Sequence, residues 1–160
     1  MLFRSPSGTI AVGRVTPARG AGPAGTAQQF QVTLTDTKGT GDFGVANVLI
    51  NKFIDGHQAC YLAYVAASNT LILVDDAGDA GGPYAASMPL NGGSGNIGNS
   101  QCAVSAAGST VAYAPNTLTL TLNITFLSAF TGNKVFYVAG RDTAGGNSTG
   151  WQSAATWKVQ

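Results

Sequence analysis

The sequence predicts an all-β fold: a two-layer antiparallel β-sandwich that carries an N-terminal strand arm. Three observations predict it. Apolar and polar residues alternate with a period of two, segments rich in Gly, Asp and Asn separate the alternating runs, and no ten-residue helical pattern occurs. The composition agrees, because Gly supplies 22 of the 160 residues, only 9% of the residues are charged, and Glu, a common residue of helical surfaces, is absent.

Residues 117–126 give the clearest strand, because every even position is apolar and every odd position is polar. The apolar side chains of this strand should point into the core: Leu118, Leu120, Leu122, Ile124 and Phe126. Further strands are predicted at residues 29–35, 46–54, 59–65, 70–74, 101–105, 134–140 and 153–159. Turn-rich segments at residues 75–83, 91–99 and 143–150 lie between them, and a single helical turn is expected near residues 127–130.

The beginning of the chain differs from the rest, which predicts an N-terminal arm and linker at residues 1–27 and a sandwich domain at residues 28–160. Residues 7–16 can form a strand, whereas residues 17–27 have the Pro, Gly and Ala content of a linker that spans about 35 Å when extended. We expect this strand to be donated to a neighbouring subunit through Thr9, Ile10, Val12 and Val15. The alternative is that the arm folds back onto its own sandwich.

Two cysteines, Cys60 and Cys102, predict one disulfide, because the chain is rich in Ser and Thr and has the composition of an exported protein. The bond would close a loop of about 43 residues and contribute about 4 kcal/mol to stability. The alternative is a pair of buried free thiols in a cytosolic protein. No apolar run reaches the roughly 18 residues that span a bilayer, so we expect no membrane span and an extracellular or cell-surface location.

Charge and histidine content argue against nucleic-acid binding and against catalysis. The net charge is +1 and the basic residues are scattered from Arg4 to Lys158, without a stripe that could neutralise a phosphate backbone. The single histidine, His57, lies in a segment typical of a turn, and no G-x-S-x-G motif accompanies it. We therefore expect no catalytic residues and a protein that is not an enzyme.

Several segments of the sequence resemble a known group of domains. In the C-terminal third these are Phe126, residues 130–132, 134–137, Asp142, residues 147–151 and 156–159; upstream they are residues 47–51, 57–64 and 99–102. They are similar to bacterial immunoglobulin-like or fibronectin-like sandwich domains of large secreted or surface proteins and fibres. The resemblance covers roughly residues 28–160, and it implies a sandwich of immunoglobulin-like or jelly-roll-like type, commonly strung in tandem or assembled into fibres.

Acidic residues and sequence motifs suggest possible ligands and modifications. Asp75, Asp76 and Asp79 form a candidate calcium loop, for which the alternative is an ordinary Asp/Gly turn; no other cofactor is expected. Asn123 and Asn147 begin N-x-S/T motifs and are candidate glycosylation sites. Lys52 and Asn51 are considered for a Lys–Asn isopeptide bond, for which an Asp would have to supply the assisting carboxyl group because the chain has no Glu.

Four aromatic residues near the C-terminus, Phe136, Tyr137, Trp151 and Trp157, suggest carbohydrate stacking, with core packing as the alternative. The resemblance, together with the N-terminal arm, implies a structural subunit of an extracellular bacterial fibre or surface assembly. Neighbouring copies of the chain would be joined head to tail by exchange of the N-terminal strand. The alternative function is a monomeric carbohydrate-binding or adhesive surface module, with glycans as partners.

Overall fold

The computed structural model describes residues 8–160, and within that range the protein is all-β. Three single 3₁₀ turns, at Thr40–Asp42, Ala66–Ser68 and Ser128–Phe130, are its helical segments. In chain order the strands are β1 Ile10–Thr16, β2 Arg19–Gly22, β3 Ala27–Asp36, β4 Phe43–Asn51, β5 Cys60–Val65, β6 Thr70–Val74, β7 Tyr84–Pro89, β8 Asn96–Gly98, β9 Cys102–Tyr113, β10 Thr117–Phe126, β11 Gly132–Asp142 and β12 Gln152–Val159. Residues 8–160 contain no helix of the length and apolarity needed to cross a membrane.

The strands form two sheets that enclose one hydrophobic core. The smaller sheet has the order β1-β3-β10-β9-β8, and the larger sheet has the order β2-β12-β11-β4-β5-β6-β7. The predicted all-β, two-layer arrangement is therefore confirmed. The prediction of purely antiparallel pairing is wrong at one place, because β2 pairs with β12 in parallel. A parallel pair requires a crossover, and β2 enters the larger sheet by crossing from the smaller one rather than through a hairpin.

Strand β10 matches the predicted residues and occupies the centre of the smaller sheet, between β3 and β9. All five of its predicted core residues are at most 1% exposed: Leu118, Leu120, Leu122, Ile124 and Phe126. The threonines between them are only partly buried, as period-2 alternation requires. The predicted single helical turn is also present, and it buries Phe130.

Aromatic side chains link the two layers. Phe30 of β3 lies with its ring centroid 4.8 Å from that of Phe136 on β11 and 5.1 Å from that of Trp157 on β12. Because β3 belongs to the smaller sheet and β11 and β12 to the larger one, these contacts fill the space between the sheets. Two of the four aromatic residues considered for carbohydrate stacking, Phe136 and Trp157, are therefore core residues.

The disulfide between Cys60 and Cys102 is present, with a Cα–Cα distance of 5.7 Å. Cys60 begins β5 in the larger sheet and Cys102 begins β9 in the smaller one, so the bond crosses the core. Both residues are fully buried. The predicted pairing is confirmed, and no free cysteine remains.

Three strands, β2, β7 and β8, were not predicted, and β9 is longer than predicted. Strand β7 carries no clear alternation, because only Met88 is fully buried, and β8 has three residues, of which only Ile97 is buried. Strand β9 continues past Ser105 after a bulge at which the Asn123 N–H donates to Ser109 Oγ (2.8 Å). These strands lie at sheet edges or bulges, where few side chains alternate between core and solvent.

The described part of the N-terminal arm pairs with strands of its own chain. Strand β1 is antiparallel to β3; its Ile10 and Val15 are buried, Val12 is half-buried, and Thr9 just before it is exposed. Strand β2 lies within the segment predicted to be a linker. Glycine makes this possible, because a Cβ on Gly20 would lie 2.6 Å from the Trp157 ring. Residues 1–7 of the predicted arm lie outside the described residues.

Candidate functional site

The outer face of the larger sheet, the face turned away from the core, is unusually apolar. On β4, Ala46, Val48 and Ile50 point into the core, so the alternating Val45, Asn47 and Leu49 point outward. Leu49 is nonetheless only 2% exposed, and Val74 on β6, which also lies outside the core cluster, is 1% exposed. Outer faces of antiparallel sheets are normally polar and wet. This face is instead covered in part by other segments of the chain.

A cavity of about 120 Å³ lies on this outer face. Ala80 of the β6–β7 segment and Tyr84 at the start of β7 close one side of it, and the Tyr84 hydroxyl donates a hydrogen bond to the Ala80 carbonyl (3.2 Å). The floor is formed by outward-facing residues of β4, β5 and β6, and Arg141 of β11 stands beside them. The complete lining is Val45, Asn47, Tyr61, Ala63, Val65, Ile72, Val74, Ala80, Tyr84 and Arg141.

Two polar side chains in the lining, Arg141 and Tyr61, determine which ligands this cavity can accept. The Arg141 guanidinium donates a long hydrogen bond (3.5 Å) to Asn47 Oδ1, and no carboxylate of residues 8–160 forms an ion pair with it. Burial raises the pKa of the Tyr61 hydroxyl, and the positive charge of Arg141 opposes this shift. Tyr61 therefore stays a neutral donor at physiological pH beside an exposed cation. Such a site can accept a neutral or anionic polar ligand on an apolar floor.

Aromatic side chains also lie on the outer face of the larger sheet, next to the cavity. Trp151, just before β12, packs edge-on against Tyr61 at a centroid distance of 5.7 Å. Tyr137 lies opposite Leu49 in the register of β11 and β4, so its side chain shares this face. Tyr137 and Trp151 are both half-buried. We call Tyr61, Tyr137 and Trp151 the aromatic face; Tyr61 was missed by sequence reasoning because it alternates with core residues in a strand.

The predicted calcium residues form turns. Oδ1 of Asp75 accepts the Ala77 N–H (3.1 Å), Oδ1 of Asp79 accepts the Gly81 N–H (2.9 Å), and Oδ1 of Asp76 accepts the Ser100 N–H (3.2 Å). Within residues 8–160 no three His, Cys, Asp or Glu side chains come together as a metal-binding group. The contacts of Asp75 and Asp79 are those of Asx turns, whereas that of Asp76 joins two loops that are distant in sequence. Calcium binding stays a prediction.

His57 and its surroundings hold a loop together. Its Nδ1 lies 2.8 Å from Asp55 Oδ1, and this ring is largely exposed. The His57 backbone N–H and then its ring lower the pKa of Asp55. The Asn51 amide donates to the carbonyls of Asp55 and His57 (2.8 and 3.1 Å), so it closes the same loop rather than facing the Lys52 ammonium of the isopeptide hypothesis. Among the described residues no hydroxyl or thiol hydrogen-bonds to the His57 ring.

The two glycosylation candidates differ in accessibility. Asn147 is exposed on the β11–β12 loop, and its amide donates to Asp142 Oδ2 (2.9 Å). Asn123 is half-buried in the central strand β10, and its amide donates to the Ala107 carbonyl (3.2 Å). A sugar on Asn123 would have to displace that contact, whereas Asn147 is reached from solvent. Glycosylation itself stays a prediction.

A buried carboxyl pair, Asp36 and Asp42, was not anticipated. Asp36 is fully buried, and no donor among residues 8–160 reaches its Oδ2 or that of Asp42. Its Oδ1 accepts the Lys38 N–H (2.8 Å), and the Lys38 ammonium lies 3.8 Å from Asp42 Oδ1. Burial, reinforced by Asp42, raises the pKa of Asp36. The only available signal was its position at the end of β3, where alternation places it on the buried face.

Comparisons with known proteins found no relative: no family model matches the chain, and no curated protein matches it.

Proposed function

We propose that this chain is a structural subunit of an extracellular bacterial fibre or surface assembly, in which neighbouring copies exchange the N-terminal segment of residues 8–22. One observation carries the proposal. This single segment closes an edge of both sheets, with β1 beside β3 in the smaller sheet and β2 beside β12 in the larger one. Without it, two sheet edges would be open for strand addition at the same time.

The contacts of the segment can form equally well between two chains. Ile10 packs near Leu34 and Gly140, and the backbone at Gly20 and Gly22 covers the ring of Trp157. An exchanged subunit would make the same contacts with its neighbour, so the concentration of subunits sets the balance between the two arrangements. A head-to-tail exchange propagates into a filament when the rotation between neighbouring subunits does not close it into a ring.

The hinge for exchange is defined by the next residues. The Ala24 N–H donates to the Gln160 carbonyl and the Gly25 N–H to the Phe126 carbonyl, both at 2.8 Å. These bonds hold residues 24 and 25 on their own domain. The exchanging unit therefore ends at Gly22, and Pro23 is the point at which the chain would change direction.

The strand order supports the immunoglobulin-like alternative over the jelly roll. Across the smaller sheet, β1, β3, β10 and β9 match the A-B-E-D order of that fold, and across the larger sheet β12, β11, β4, β5 and β6 match its G-F-C-C′-C″ order. The disulfide differs, because it joins β5 to β9, whereas Phe30 and Phe136 face each other between the B- and F-type strands. A buried disulfide between layers also supports export to an oxidising compartment.

Exchange is tested by a cysteine pair across the β1–β3 ladder. Ala11 and Thr35 are directly opposed and both exposed, so Ala11→Cys with Thr35→Cys should crosslink. If segments are exchanged, the new bond joins two chains, and a non-reducing denaturing gel shows a ladder of covalent multimers. If the segment stays on its own domain, the same crosslink gives monomers only, which contradicts the proposal.

The control pair is Gln31→Cys with Thr121→Cys, which are opposed in the β3–β10 ladder. Both residues belong to the body of the domain, so their crosslink stays within one chain in either arrangement. Multimers formed equally by both pairs would indicate random oxidation and would also contradict exchange. Complete crosslinking of both pairs is verified by the absence of reactive thiols.

A second candidate function is that of a carbohydrate-binding or adhesive module. The observation that favours it is the aromatic face beside the cavity on the outer face of the larger sheet. Aromatic rings provide flat apolar surfaces for sugar rings, and Asn47 and Arg141 supply polar contacts next to them. Glycan-array binding that falls on Trp151→Ala, and not on Phe53→Ala in a separate exposed loop, would support this function. Equal binding by both variants would contradict it.

A further inference from the structure

Three of the four lysines of the chain line one cleft. The cleft, of about 360 Å³, crosses the end of the larger sheet and is lined by Lys52, Lys134 and Lys158 together with Gly20, Asn133, Val135, Thr156 and Trp157. No carboxylate is part of this lining. We call it the basic cleft. The lysines are far apart in sequence, and the pairing of β12 with β11 and of β11 with β4 brings them together.

Lys134 is a charged residue at a buried position, which is unusual. It is only 3% exposed, and its ammonium lies 4.0 Å from the centroid of the Phe130 ring. No acidic side chain of residues 8–160 pairs with it. Burial, and to a smaller extent the nearby charge of Lys52, lower its pKa. A buried cation without an acidic partner is costly. Lys134 alternates with Val135 and shares the inward side of β11 with Phe136, so the accessible charges of the cleft are those of Lys52 and Lys158.

The basic cleft continues into the aromatic face. Val135 lines the cleft, and Tyr137, two residues further along β11, projects from the same outer side of the sheet. Arg19 lines a neighbouring cleft that shares Val135 and Thr156 with the first one. A ligand that lies along β11 and β12 would therefore meet positive charge at one end and aromatic rings at the other.

The lining of the cleft favours one class of anion. Asn133 and Thr156 offer amide and hydroxyl groups suited to the hydroxyls of a sugar. Single-stranded nucleic acids bind in positively charged grooves that follow the phosphate backbone, whereas the net charge of the chain is only +1. A membrane surface would require apolar side chains in the lining itself, but the exposed Phe53 and Ile54, which follow Lys52, do not line the cleft.

We propose that the basic cleft binds the carboxylate or sulfate groups of an acidic polysaccharide, whose sugar rings extend onto the aromatic face. This inference rests on the second candidate function, carbohydrate binding, and defines the charge of the ligand. It does not depend on strand exchange.

The test measures binding to polygalacturonate and dextran sulfate, with neutral dextran for comparison. The variant Lys52→Gln with Lys158→Gln removes two exposed charges of the cleft. We expect it to weaken binding to the acidic polymers by about fivefold for each lysine removed and to reduce the dependence of binding on salt concentration. The matched control is Lys38→Gln, the fourth lysine, which lies beside Asp42 away from the cleft. The control should bind like the parent protein.

The outcomes separate the two hypotheses. Binding to dextran as strong as to the acidic polymers, with no effect of the cleft variant, overturns the acidic ligand and leaves carbohydrate binding intact. Absence of binding to every polysaccharide overturns both. Binding to single-stranded DNA but to no acidic polysaccharide overturns the inference. So does binding to phosphatidylserine vesicles that is lost on Phe53→Ser and kept in the lysine variant.

Discussion

Removal of the Cys60–Cys102 disulfide tests how the two sheets are held together. We consider the double variant Cys60→Ala with Cys102→Ala. The bond joins β5 of the larger sheet to β9 of the smaller one across a sequence separation of 42 residues. The chain-entropy relation for a loop of this size gives a loss of about 4 kcal/mol in the free energy of unfolding. For a domain of 160 residues that corresponds to a fall of roughly 8–16 °C in melting temperature.

The structure also predicts which strands lose stability first when the disulfide is removed. The closed loop contains β5, β6, β7 and β8, and both β7 and β8 are edge strands with a neighbour on one side only. The central strand β10 lies outside the loop and pairs on both sides. In the variant, backbone amides of β7 and β8 should therefore exchange with solvent faster than those of β10.

Urea and thermal unfolding, each with and without reductant, measure the effect. Reductant should lower the stability of the parent protein and leave the double variant unchanged. A loss below about 1 kcal/mol, or an equal loss of amide protection in β10 and in the edge strands, would refute the reasoning. Intact mass after alkylation, with and without reductant, verifies that the parent protein carries the bond.

Three further predictions follow. Leu120→Asp should leave the domain unfolded at 25 °C, because a carboxylate would enter a fully buried site. The control Thr119→Asp, on the opposite side of the strand, should stay folded, as measured by circular dichroism. A folded Leu120→Asp variant would contradict the packing of β10. Asp36 has a raised pKa in the folded state, so its stabilising contribution is complete below the pKa of the unfolded chain and is lost as pH rises through the folded-state pKa. Asp36→Asn should abolish this decline of stability with pH and add about 1 kcal/mol to the free energy of unfolding at neutral pH, because its amide can donate to Asp42 Oδ2. Urea unfolding midpoints of the variant that decline between pH 3 and 8 as in the parent protein would refute this. If Asp75, Asp76 and Asp79 bind calcium, the melting temperature should be higher in calcium than in EDTA, because carboxylate oxygens are the ligands that this cation prefers. Asp76→Ala should abolish that rise, and equal melting temperatures in calcium and in EDTA would contradict the site.

The sequence by itself determined the features that depend on local periodicity. Whether a residue of β10 faces the core follows from its position in a period of two, and all five predicted residues are buried. The two cysteines could be paired because a chain with two cysteines allows only one intrachain disulfide. The all-β fold class followed from the same alternation and from the glycine-rich turns.

The tertiary structure decided everything that depends on which strands become neighbours. Strand β2 forms in an apparent linker because Gly20 lies against Trp157, more than 130 residues away along the chain. The lysines of the basic cleft look scattered in sequence and meet only through the pairings of β4, β11 and β12. Asp36 and Asp42 are buried together because the first turn after β3 folds back onto the strand end. Period and turn chemistry are local properties of a chain, whereas a surface is assembled by contacts between distant residues, so a single sequence predicts the layers better than the surfaces on them.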